Sequence, residues 1–249
     1  MTGCRVVIGV LAWAATALPM AGSGAVRQAA AIDERIERQV SAALSGEEAL
    51  RGVTAAVRAQ VATLTGEVPS IWAREEAAAR ALEVEGVRSV VDEMTIALVV
   101  DDAVIGARVA EQVRRYARFT IFDHADIGVN RGVVTLFGKV TDSVKATELA
   151  RRASRVPGVR EVRSRIETLP ASTSDDALRL ELAERIYRHP FLERYGRLRQ
   201  PSIHIIVERG HVTLTGAVSA AGDKQTAGSI VNGTFGVLSV ENNLLVTAR

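Results

Sequence analysis

A short stretch occurs three times in this chain and fixes its unit of folding. Two copies read Val133-Val134-Thr135-Leu136-Phe137-Gly138-Lys139-Val140 and His211-Val212-Thr213-Leu214-Thr215-Gly216-Ala217-Val218. An earlier copy reads Val61-Ala62-Thr63-Leu64-Thr65-Gly66-Glu67-Val68. The Thr, Leu, Gly and final Val keep their places in all three. Twenty residues beyond each glycine stands a second, opening Gly86-Val87-Arg88-Ser89-Val90, Gly158-Val159-Arg160-Glu161-Val162 and Gly236-Val237-Leu238-Ser239-Val240. The copies are offset by 72 and then 78 residues. A unit of about 70 residues is large enough to hold a core of its own. The chain is therefore expected to fold as three small tandem domains, over residues 29–98, 101–169 and 174–249, and not as one body.

Each unit reads α-β-β-α-β, which places the chain in the α+β class. In the first, Ile32, Ile36, Val40 and Leu44 recur every four residues and share one helix face, with Asp33 and Glu34 in its first turn. Val53, Ala55 and Val57 alternate with Thr54 and Ala56 as a strand does, and Val61 to Val68 makes the second strand. The intervening turn, Arg58-Ala59-Gln60, lacks a glycine, so it is either looser or different in geometry. A second helix runs from Arg74 to Val84, and Gly86 stops it. The second unit repeats this order. Asp101 or Asp102 caps a helix carrying Ile105, Val109, Val113 and Tyr116, and Asn130-Arg131-Gly132 makes a tight turn. A helix over about Ser143 to Val156 ends at Pro157-Gly158. The third unit follows a polar, proline-marked linker, Pro170 to Ser174. Ser174 or Asp175 caps its first helix, and Phe191 to Pro201 forms a longer loop.

Residues 1–25 read as an export signal: Arg5, then an uncharged apolar run from Val6 to Leu18, then Pro19 and small residues at Ala21 to Ala25. The run is too short to span a bilayer comfortably. The only cysteine, Cys4, precedes it, so no internal disulfide and no cysteine metal site is expected. Net charge is +2, too small to argue for nucleic acid. Its distribution is uneven: residues 26–100 carry 8 basic and 12 acidic groups, net −4, and residues 101–170 carry 13 and 9, net +4.

No reactive constellation stands out, and neither an enzyme nor a cofactor is expected. His124, His189, His204 and His211 show no metal-ligand spacing, although His204 and His211 lie on neighbouring strands of one hairpin. Asp123-His124-Ala125-Asp126 reads as a solvated loop before a strand. Neither a nucleophile elbow nor a phosphate-binding loop occurs.

The Gly-x-Val-Thr-Leu-x-Gly-x-Val strand and the Gly-Val-x-x-Val strand resemble the BON domain. Copies two and three carry the resemblance best, through Arg131-Gly132-Val133-Val134-Thr135-Leu136-Phe137-Gly138 and Arg209-Gly210-His211-Val212-Thr213-Leu214-Thr215-Gly216. In copy one Gln60 stands where the turn glycine should be. The resemblance implies a three-stranded mixed sheet with two helices on one face in each domain. It also implies exported bacterial proteins acting in envelope integrity, often through phospholipid. It carries over no catalytic residue.

Two stretches mix cations with aromatic rings as an anionic bilayer surface would require: Arg114, Arg115, Tyr116, Arg118 and Phe119, and Phe191, Arg194, Tyr195 and Arg197. Helix C-termini also favour cations, and the rings could instead close the cores. The expected function is contact with phospholipid or envelope components, in the periplasm or peripherally on a membrane facing it, during envelope maintenance or osmotic stress. A protein scaffold acting through exposed sheet edges is the alternative.

Overall fold

The computed structural model describes residues 23–96, 100–198 and 201–247. The proposed export signal lies outside them, except that Ser23 to Ala25 open the first helix. Domain one contains α1 (Ser23–Ser45), β1 (Val53–Arg58), β2 (Val61–Val68), α2 (Ile71–Glu83) and β3 (Ser89–Ile96). Domain two contains α3 (Asp102–Arg114), β4 (His124–Asn130), β5 (Val133–Val140), α4 (Ser143–Ser154) and β6 (Glu161–Thr168). In domain three α5 (Thr173–Tyr187) is followed by the short α6 (Glu193–Gly196), β7 (Ile203–Glu208), β8 (His211–Val218) and α7 (Ala221–Asn232). Its last strand is interrupted into β9 (Ser239–Asn242) and β10 (Leu245–Val246). No described helix is long and apolar enough to cross a membrane.

Each sheet is mixed. The repeated strand is central, antiparallel to the strand before it and parallel to the last one. Strand alternation sends Ala62, Leu64 and Val68 to one face, and likewise Val134, Leu136 and Val140, and Val212, Leu214 and Val218; all are buried. Both helices of each domain cover that face. The expected stripe of α1 packs there, with Ile36 and Val40 wholly buried. The glycine of the repeated strand closes the sheet: Gly138 sits at φ +134°, where an added Cβ would lie 2.1 Å from the His124 carbonyl oxygen. Gly66 and Gly216 stand equally close to Gly52 and Ser202.

The hairpin turns show what the aspartates of the first helices do. In every domain both turn residues have positive φ: Ala59 and Gln60, Arg131 and Gly132, Arg209 and Gly210. This is the primed turn that matches strand twist, and it points two N–H groups away from the ladder. A carboxylate from the preceding helix accepts both. Asp33 takes Ala59 N at 2.8 Å and Gln60 N at 3.0 Å. Asp102 takes Arg131 and Gly132, and Asp175 takes Arg209 and Gly210. The helix caps fall to Asp101 and to Ser172, so the linker before α5 is shorter than expected. The glycine-free turn of domain one thus keeps the common geometry under an aspartate clamp. Left-handed backbone costs a side-chain-bearing residue about 1–2 kcal/mol, and glycine's greater freedom when unfolded offsets part of that. Gln60→Gly is expected to stabilise domain one by about 1 kcal/mol in urea unfolding.

The domains meet at two different joints. At the first, the corner between β2 and α2 sits on the Gly158 loop: Gly158 N donates to Pro69 O at 2.9 Å and Ile71 N to Val159 O at 2.8 Å. The Arg155 guanidinium stacks over Trp72 at 4.4 Å, and Ile71 packs against the core of domain two. At the second joint, the loop before β4 runs along the free edge of β7, where Ile205 N donates to Ile121 O at 2.7 Å.

Candidate functional site

The structure separates the members of the two cation–aromatic stretches. Tyr116 is buried in the core of domain two beneath Arg152, whose guanidinium lies 4.8 Å from the ring centre. Phe119 packs against the same core and tilts against His204 of domain three, ring centres 5.8 Å apart. Neither ring is offered to a surface, because the chain after α3 turns back to form the second joint. The cations stay outside. Arg114 is exposed. Arg115 pairs with Glu111 at 2.6 Å with 68% of its side chain exposed, and Arg118 pairs with Asp142 at 3.1 Å with 59% exposed.

In the second stretch, Tyr195 is buried and its hydroxyl donates to Asp223 at 2.6 Å while accepting Ser219 N at 2.8 Å. Arg194 pairs with Asp223 and lies over the Tyr195 ring. These two residues fasten α6, in what reads as a plain loop, to the N-terminus of α7. Phe191 remains exposed, its ring tilted against His189, and Arg197 pairs with Glu193 while 75% exposed. The stretches therefore supply exposed cations and one exposed ring. Tyr116, Phe119 and Tyr195 serve packing.

Asp123, read from sequence as solvated, is in fact fully buried. His124 to Asp126 belong to β4, and Asp123 lies beneath them. Its carboxylate accepts Thr120 N at 2.7 Å, Thr141 N at 2.8 Å, the Thr120 and Thr141 hydroxyls, and the Lys145 ammonium at 2.6 Å. Burial alone would raise its pKa. The Lys145 ammonium and the Thr141 and Thr120 N–H groups reverse that and hold it below the ordinary carboxylate value. Lys145 stands seven residues after Gly138, and Asp223 seven after Gly216. The same helix position thus carries opposite charges in domains two and three, each answered by a residue that precedes the first strand of its own domain. In domain one it is Ala73, fully buried without a charge.

His204 and His211 do not meet. His211 contacts Ser239, whereas His204 crosses the second joint and donates from Nδ1 to Asp123 O at 2.7 Å. His124 crosses the other way to Thr215 at 3.1 Å, and Lys139 pairs with Glu208. Burial lowers the His204 pKa below its ordinary value, and neighbouring His124 adds to this, against the Asp123 carbonyl that favours the proton. A depressed pKa means the folded joint binds the proton less readily than the open one. Its stability is present above about pH 6.5 and lost on acidification. Below that pH the Ile205 amide is expected to exchange with solvent faster, after correction for intrinsic rate. In His204→Gln the acid-induced increase should be absent.

Among the described residues no cluster of three His, Cys, Asp or Glu could hold a metal. The family model described as BON domain matches the chain three times, over residues 32–97, 101–170 and 175–248. Similar solved structures include the C-terminal domain of CdsD, a structural protein of the Type III secretion system of Chlamydia trachomatis. It is 14% identical, covering 84% of this chain and 96% of that one, with a TM-score of 0.24. The PrgH periplasmic domain is 10% identical, covering 83% and 99%, with a TM-score of 0.19. Comparison with curated proteins gives no match.

Proposed function

The chain belongs to the BON-domain family, and from that premise we propose that it is a non-enzymatic, exported protein of the cell envelope that contacts an anionic phospholipid surface. The observation that supports this is the set of exposed guanidinium groups at Arg115, Arg118 and Arg197, with the open ring of Phe191 beside Arg197's helix. Among the described residues, each is tied only to a carboxylate on the protein surface. Such pairs are worth less than about 1 kcal/mol, so a headgroup phosphate can replace the carboxylate. A cation at an anionic bilayer contributes about 1 kcal/mol, and several on one chain act together where geometry lets them engage. A role in envelope maintenance or osmotic stress would follow from such contact.

Sedimentation with neutral and anionic vesicles at low and high salt tests the reading. Binding is expected to anionic vesicles only, to be lost in salt, and to fall about a hundredfold in Arg115→Gln/Arg118→Gln/Arg197→Gln. Absence of binding to anionic vesicles at low salt would sink it. An assembly module is the second reading, favoured by one feature: Phe235 and Leu238 stand 95% and 72% exposed on a single loop.

A further inference from the structure

The joint between domains one and two is built from two halves, and domain three carries both halves open. The first half is the corner after the repeated strand, Pro69-Ser70-Ile71, with a groove of about 410 Å³ beside it lined by Glu47, Trp72, Glu76 and Arg80, which Arg155 of domain two enters. The repeat places Ser219-Ala220-Ala221 at the corner of domain three. Its groove, about 540 Å³, is lined by His189, Gly222, Thr226 and Ile230, the counterparts of those four residues in order. Among the described residues, Ser219 O and Ala221 N have no hydrogen-bond partner. They occupy the places of Pro69 O and Ile71 N. The residues Ser219 to Gly222 are exposed and small.

The second half is the loop with the second glycine. In domain two Gly158 N and Val159 O are taken by the corner of domain one, and Val159 is fully buried. In domain three Gly236 N and Val237 O have no partner among the described residues, and Val237 is only half-buried. The flanking residues separate this loop from that of domain one. There Glu85 and Arg88 face water. At the same two positions domain three has Phe235 and Leu238. A loop made for solvent has no use for two such side chains, whereas a loop made to be covered does.

We propose that the third domain of one copy seats its Ser219–Gly222 corner on the Gly236 loop of a second copy, reproducing between chains the joint made within one. Gly236 N of one copy donates to Ser219 O of the other, and Ala221 N donates to Val237 O. Phe235 and Leu238 become covered by the corner and its groove. The corner follows the C-terminal end of β8 and the loop lies beside Gly210 at its N-terminal end. The contact is therefore heterologous and leaves one free half at each end, so that further copies add head to tail. Lacking the tether that joins domains one and two, it forms only as concentration rises.

The test is sedimentation velocity of the full chain, without lipid, across concentration. The expected result is a mass that rises from one chain to multiples. Phe235→Ser/Leu238→Arg removes the loop half. Ala221→Pro/Gly222→Glu removes the corner half; proline at a first helical position keeps the helix and deletes only the N–H, and a Cβ added at Gly222, which is exposed, meets nothing within 4 Å. Each variant is expected to remain a single chain with an unchanged melting temperature, and the two mixed are expected to form one dimer that grows no further. A wild-type chain that is monomeric up to its solubility limit overturns the proposal, as does a pair of variants that fail to complement. A Phe235→Ser/Leu238→Arg chain that assembles like wild type but loses vesicle binding also overturns it, and makes the loop a membrane contact.

Discussion

Gly138→Ala is expected to destabilise domain two by about 3–5 kcal/mol. The methyl group would stand 2.1 Å from His124 O, 2.8 Å from its carbonyl carbon and 3.1 Å from Ala125 Cα. All three are backbone atoms, so no rotamer change relieves the contact. The φ of +134° is in addition a conformation that side-chain-bearing residues rarely adopt. The strands can separate only by moving the first residues of β4, which also form the second joint. Loss of protection at Ile205, in the neighbouring domain, should therefore accompany the fall in stability. Gly222→Ala, where nothing lies within 4 Å, is the control and should cost nothing. Urea unfolding with hydrogen exchange checks both; a Gly138→Ala chain within about 1 kcal/mol of wild type would show that the close approach is not what keeps glycine there.

The parts of this chain that read correctly from sequence are those in which local pattern and burial coincide. The threefold strand, its alternation and the four-residue stripe on α1 needed no knowledge of distant partners. What was not legible depended on contacts between elements. Asp33, Asp102 and Asp175 each stand near a helix start, where a capping or dipole role is a sufficient local reason. Their work lies 26 to 35 residues further on, and the intervening loops differ in length, so the spacing hides the repeat. Asp123 sits in an Asp-His-Ala-Asp run that resembles solvated loop, and only the return of α4 brings Lys145 over it. Tyr116 and Tyr195 have the composition of an interfacial belt and the location of core. The joints left a trace only in contrast: Pro157 and Arg160 of domain two become Phe235 and Leu238 in domain three, a difference that means little until the first pair is seen against a neighbour.

Lys145→Ala is expected to cost about 3–5 kcal/mol, because it leaves the carboxylate of Asp123 buried without a countercharge. Much of that cost comes from the orphaned partner and not from the pair itself. The double variant Asp123→Asn/Lys145→Met should therefore be more stable than Lys145→Ala alone, since the amide oxygen still accepts one of the Thr120 and Thr141 N–H groups, the amide NH2 can donate to the other threonine's hydroxyl, and no net charge stays buried. The pH dependence separates this account from simple loss of side-chain packing. In the wild type the Asp123 pKa is held below its unfolded value. Its contribution is present above about pH 4 and falls away as acid protonates the unfolded chain first. Without Lys145, burial is opposed by the Thr donors alone and the folded pKa moves up. Acid then favours the folded variant relative to its state at neutral pH. The stability gap between wild type and Lys145→Ala should be widest near neutrality and should narrow as pH falls toward 4. Urea unfolding at a series of pH values reads this directly. A gap of constant size would mean that the lysine acts through its methylene stem, and that the charge on Asp123 is satisfied by the four Thr donors without it.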